Sequence, residues 1–161
     1  MVTLTDALAL AQTHLIEMNE VAPIHPNYQY GTSKPTEYAH CWYFDYSIQP
    51  RLDFLPCKRE MFAGAPGFTV SKQTAELHTI SWYEMQKLAK QSAIWLHCEL
   101  TAKALLGTNL SLTVLRSHFP VDLPELVAFK KDLEKLGTDK LARKEVLKAK
   151  LLQLAGFFNV L

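Results

Sequence analysis

Tyr38-Ala39-His40-Cys41-Trp42-Tyr43-Phe44-Asp45-Tyr46-Ser47-Ile48 is a run rich in the aromatic side chains that suit a pleated, half-buried surface. On a strand with period 2, Trp42, Phe44 and Tyr46 share one face. Two further β-like runs follow, Met61 to Ser71 and Glu76 to Ile80. The second run carries Gly64-Ala65-Pro66-Gly67 directly before Phe68-Thr69-Val70, so residues that bend the backbone feed into residues that extend it. Lys72-Gln73-Thr74-Ala75 is short enough to close an antiparallel hairpin onto Leu77, His78, Thr79 and Ile80. The expected sheet is small and antiparallel, with about three strands.

Before the sheet, Leu4, Ala7, Leu8, Ala11, Leu15 and Met18 recur every three or four residues behind a capping-box spacing at Thr3 and Asp6. They predict an amphipathic helix from Thr3 to about Met18, with Asn19 as its stop. Val21 to Pro35 holds Pro23, Pro26, Gly31 and Pro35 around Tyr28 and Tyr30, and reads as a packed loop that reaches the surface. Gln49 to Glu60 is bounded by Pro50 and Pro56 and mixes Arg51 and Asp53 with Leu52, Phe54 and Leu55. It reads as a second irregular loop, one that covers the end of the sheet or contacts a partner.

A helix, a strand with Trp42-x-Phe44, Gly64-x-Pro66 entering a strand that ends in Val70, a polar turn and a last short strand at Leu77 together resemble the immunity protein 35 family. Its members are the antidotes of bacterial polymorphic toxin systems, which serve in competition between bacteria. The resemblance covers roughly residues 3–80, about half the chain, and the turn has Ala75 where the family shows a glycine. It implies a cognate toxin or effector as partner and steric neutralisation as the mode of action.

After Ile80 the pattern turns helical. Ser81 and Glu84 have capping-box spacing, and the helix they open runs to Leu106 before Gly107. Leu88, Trp95, Ala102 and Leu106 fall on one arc and Ile94, Cys98 and Leu105 on another, so more than one face is expected to be covered. Glu99 shares the first arc and needs either a partner or a solvent edge. A short helix from Ser111 to His118, one opened by Asp122 and Pro124, and a last one capped by Thr138 complete the chain. In the last, Leu147, Leu151, Leu154 and Phe158 make an apolar face that Lys140, Lys144 and Lys148 continue, so its basic half is expected to be solvated or to face acid. The fold class is α+β, with an α+β subdomain over 1–80 and a helical subdomain over 81–161 packed against it.

Seventeen basic and 16 acidic residues give no reason to expect a nucleic-acid surface, and no apolar run approaches the ~20 residues of a membrane span. With no signal-peptide pattern, the expected location is cytoplasmic. Cys41, Cys57 and Cys98 are an odd, widely spaced set expected to stay reduced. His40-Cys41 and His97-Cys98, with Cys57 and His78, contain zinc-ligand types, but neighbouring side chains diverge and no Cys-x-x-Cys is present, so no metal is expected. Gly64–Gly67 lacks the Gly-Lys-Ser/Thr ending of a phosphate loop. No cofactor or catalytic residue is assigned.

A non-enzymatic toxin-binding protein is the leading expectation, with Tyr28, Tyr30, Arg51 and Asp53 as contact residues because aromatics and arginine most often anchor interfaces. Two alternatives stay open. One is a small enzyme or ligand-binding domain with a pocket between the sheet and the Ser81 helix, around His78, Cys98 and Glu99; the other is a chaperone or adaptor for a secreted effector.

Overall fold

A computed structural model describes residues 1–52 and 64–157. The order is α1 (Leu4–Val21), β1 (Tyr28–Thr32), β2 (Thr36–Glu37), β3 (Cys41–Phe44), β4 (Tyr46–Pro50), β5 (Phe68–Ser71), β6 (Leu77–Thr79), α2 (Trp82–Leu106), α3 (Leu112–His118), α4 (Leu123–Lys135) and α5 (Lys140–Leu154). The class is α+β, an N-terminal helix and antiparallel strands followed by helices. Two compact units divide the described residues, Met1–Ala89 and those from Lys90 on, so the division falls inside α2. No described helix is long and apolar enough to cross a membrane.

In the first unit the strands form two sheets rather than one: β2-β3-β5-β6, and a separate ribbon of β1 with β4. The run from Tyr38 to Ile48 breaks at Asp45, whose carbonyl accepts from Ser33 N–H, and β3 and β4 join different sheets. Trp42, Phe44 and Tyr46 nevertheless meet one core, with Ala7 and Ala11 of α1, Phe68 and Val70. Phe44 stacks on Phe68, ring centroids 5.2 Å apart at 9°. Cys41 and Tyr43 point the other way, into a cluster with Ile80, Leu88 and Met85. A helix segment therefore covers each face of β3, which is why Cys41, Trp42 and Phe44 are all buried where a half-buried strand was expected.

Several expectations are corrected. Residues 28–32 form a strand and not a loop, because their prolines fall outside it and β4 pairs it from Tyr28↔Pro50 to Thr32↔Tyr46. Helix α1 runs past Asn19 to Val21. Of the run from Met61 to Ser71, the first three residues lie outside the described ones, residues 64–67 are not strand, and β5 begins at Phe68 after Gly67 takes φ +89°. A Cβ at Gly67 would lie 2.1 Å from the Phe44 carbonyl oxygen, so this close approach requires glycine. The β5–β6 hairpin forms as expected, closing through Ala75 at φ +64°.

Local capping chemistry explains the helix starts. Thr3 and Asp6 form a reciprocal capping box, and Ser81 N–H donates to Glu84 Oε2 at 2.7 Å. Asp122 accepts from Glu125 N–H. The last helix is capped by Asp139, not Thr138, because the carboxylate accepts from both Leu141 and Ala142 N–H at 3.0 Å. The second unit's core joins Ala102, Leu105, Leu115, Phe119, Leu126, Leu133 and Leu147. Phe158, placed on the apolar face of the last helix by its spacing, lies outside the described residues.

Candidate functional site

The β1–β4 ribbon carries two of the residues that the sequence offers as contacts, Tyr28 and Tyr30, and Arg51 directly follows β4. The amide of Asn19 clamps the outer edge of β1: Tyr30 N–H donates to its Oδ1 at 2.8 Å, and its Nδ2 donates to the Tyr30 carbonyl at 3.0 Å. Both backbone groups of an edge residue are thus satisfied by a helix side chain, which fixes Tyr30 in place. The Tyr30 ring packs against Tyr46 with centroids 5.5 Å apart, and Tyr46 against Phe68 at 5.3 Å. The Tyr46 hydroxyl lies 2.9 Å from His14 Nε2 and 3.2 Å from Met18 Sδ. Burial raises the Tyr46 phenol's pKa and lowers that of His14, with Glu17 opposing the latter shift. Both rings are held in their neutral forms at neutral pH.

Tyr28, expected at the surface, is buried beside His25 at 5.5 Å between ring centroids. It shares a face of β1 with Tyr30, which is half-buried. Arg51 is half-buried; its N–H donates to the Asn27 carbonyl at 2.9 Å, and its buried Nε has no hydrogen-bond partner among the described residues. A donor in that state favours an acceptor oxygen, and a carboxylate is the strongest available. Asp53 and Cys57 lie outside the described residues.

Of the zinc-ligand types, His40 precedes β3 and Cys41 opens it, His78 lies on β6, and His97 and Cys98 lie on α2. Burial, opposed by the Lys72 charge, pushes the Cys41 thiol up to about 12. Burial and then the same charge take the adjacent His40 imidazole down to about 4. Cys98 is buried and its thiol raised by that burial, whereas His97 is exposed. His78 Nε2 faces Glu84 at 3.8 Å. Among the described residues no group of three or more His, Cys, Asp or Glu side chains is arranged to hold a metal ion.

In the second unit, Glu99 and the lysine ridge answer each other. Lys144 Nζ donates to Glu99 Oε1 at 2.6 Å. Lys148 Nζ lies 3.0 Å from Glu99 Oε2, close enough for an ion pair but out of line for a hydrogen bond. Glu145 closes the group, 2.7 Å from Lys148 and 3.3 Å from Lys144, and Lys148 also lies over the Trp95 ring at 4.6 Å. Burial acts to raise the Glu99 pKa, but the two lysines outweigh it and hold the carboxyl below its ordinary value. Two cations meet two anions here, so the group is neutral overall. Lys144 and Lys148 are therefore not a free basic ridge.

Sequence reasoning passed over Asn19 as a helix stop, although an amide side chain one turn from a helix end and 11 residues before Tyr30 was the one local hint of an edge clamp. Comparison with family models, with curated proteins and with solved structures finds no match for this chain.

Proposed function

We propose that this chain is an immunity protein that binds a cognate bacterial toxin in the cytoplasm and neutralises it by occlusion, without turnover. The observation that carries the reading is the way the positions of the resemblance assemble. Trp42, Phe44, Val70 and Leu77 meet α1 in one core, and position 75, where the family shows glycine, has the left-handed backbone that glycine favours. A motif scattered over the sequence is in this way one structural unit.

The contact surface of this reading centres on Tyr30 and Arg51, with Asp53 two positions after Arg51 in sequence. Tyr30 is an aromatic whose backbone is fixed in advance, and the Arg51 Nε has no hydrogen-bond partner among the described residues. These are the residue types and the preorganisation from which interface anchors are made. The lysines of α5 are a weaker rival, because Glu99 and Glu145 already neutralise two of them.

Co-expression with a toxin domain, sought first in the reading frames that adjoin this gene, tests the proposal. Growth should be restored, and the two chains should leave a gel-filtration column together. Persistent toxicity with both proteins soluble would reject the reading.

A further inference from the structure

Three elements of the second unit line a cavity of about 170 Å³: the turn after α2 with Asn109 and Leu110, the later part of α4 with Lys130, Leu133 and Glu134, and the first turn of α5 with Arg143. Leu110 and Leu133 belong to the unit's core and give the cavity an apolar side. Its polar side is short of acceptors. Of the buried and half-buried cations on α5, Lys144, Lys148 and Lys150 each meet a carboxylate. Half-buried Arg143 does not: its Nη1 donates to the Gly137 carbonyl at 3.5 Å, and its Nε, shielded from solvent, has no hydrogen-bond partner among the described residues. The side-chain amide of Asn109 makes no hydrogen bond among the described residues, and the Lys130 ammonium has only Glu134, one turn on at 3.5 Å. Two cations against one anion leave a single positive charge around the cavity. A partly desolvated guanidinium with unmatched donors calls for an acceptor that the chain itself does not supply.

We infer that this cavity binds a singly charged carboxylate on a short aliphatic stem, supplied by a small carboxylic acid or by an acidic side chain of another chain. The terminal N–H groups of Arg143 offer a planar fork that matches two carboxylate oxygens. Lys130 and Asn109 supply further donors, and Leu110 and Leu133 take the stem. Charge selects the ligand: phosphate carries more than one negative charge at neutral pH, and Glu134 opposes the excess. Size selects it too. The cavity is several times the roughly 30 Å³ that a water molecule occupies in the liquid and well below the roughly 300 to 1,000 Å³ of sites for drug-sized molecules, so it admits a few carbons and excludes a nucleotide. Asn109 and Glu134 are exposed, so solutes reach it. The site lies wholly in the second unit and does not depend on the toxin-binding reading.

NMR titration of the full chain tests the site, with the Asn109 side-chain amide and the solvent-shielded Arg143 Nε–H as reporters. Propionate, the α-amide of N-acetylglutamate and inorganic phosphate are each added at neutral pH and compared with chloride at the same ionic strength. Both carboxylates should shift both reporters saturably, the tighter of them with a dissociation constant of about 1 mM or below, and phosphate should bind about tenfold more weakly than that one. Arg143→Lys keeps the charge but not the fork, so its affinity, read at Asn109, should fall about tenfold. If that variant melts lower than wild type, Asn109→Asp at the exposed rim replaces it, read at Arg143: a second carboxylate there should abolish binding. Tighter binding of the glutamate derivative assigns the site to a side chain of another chain, equal or tighter binding of propionate assigns it to a free acid, and both support the inference. Shifts that chloride reproduces, phosphate that binds as tightly as either carboxylate, or a variant that binds as wild type overturns it.

Discussion

Lys148 of α5 meets Glu99 of α2 at 3.0 Å, and the lysine side chain is 5% exposed. Placing an ammonium there costs desolvation, which is recovered only through close counter-charges and a polarisable surface. Glu145 and the Trp95 ring complete that environment. The first unit repeats the device: Lys72 is buried, pairs with Glu37 at 2.6 Å and lies over the Trp42 ring at 4.5 Å. In both places the stem of a long lysine packs as apolar surface while its head finds a carboxylate and an aromatic face.

Lys148→Ala should destabilise the second unit by about 3 kcal/mol, the lower end of the range for breaking a buried pair, because Glu99 keeps Lys144 and some solvent. Lys140→Ala, at an exposed position of the same helix, should change stability by less than about 0.5 kcal/mol. Urea denaturation of both variants measures the difference, and equal losses would contradict the burial argument.

Glu99 has a folded pKa below its ordinary value of 4.5, so its charge stabilises the fold above that pH, and this contribution disappears as pH falls through the folded pKa. Melting temperature should therefore drop on acidification below about pH 4.5, and Glu99→Gln should flatten part of that drop while lowering stability at pH 7. Glu84, also depressed through its bonds with Ser81, titrates in the same direction, so some acid dependence should remain in the variant. An unchanged acid profile in Glu99→Gln would show that the carboxylate contributes no linkage.

Two backbone positions should respond in opposite directions. Gly67→Ala brings a methyl against the Phe44 carbonyl at a positive φ and should cost about 2 kcal/mol or more. Ala75→Gly releases left-handed strain of about 1 to 2 kcal/mol and gives back about 0.4 to 1 in chain entropy, a net gain of up to about 1.5 kcal/mol. Thermal melts of the two variants should fall on either side of the wild type.

What the sequence disclosed was what neighbouring residues determine. The capping boxes at Thr3 and Ser81, the Asp122 cap, the β5–β6 hairpin and the shared face of Trp42, Phe44 and Tyr46 depend on contacts or periodicities within a few positions. Strand β1 was hidden because its support is distant: β4 on one edge and the Asn19 side chain on the other. The break at Asp45 has the same origin, since the donor that its carbonyl accepts from, Ser33 N–H, is 12 positions away. Burial of Tyr28 followed from that missed strand. Glu99 was legible as a carboxylate in need of a partner, and Lys144 and Lys148 as cations in need of an acid. Their pairing was not, because 45 positions separate Glu99 from Lys144.

Titration of the cognate toxin's activity tests the central claim most directly. Occlusion without turnover predicts a linear loss of activity that reaches zero at about one chain per toxin, and full recovery of toxin activity when the complex is denatured and the toxin refolded alone. Inactivation of excess toxin by a small fraction of this chain, or a toxin that stays inert after separation, would contradict it and identify the chain as an enzyme acting on the toxin.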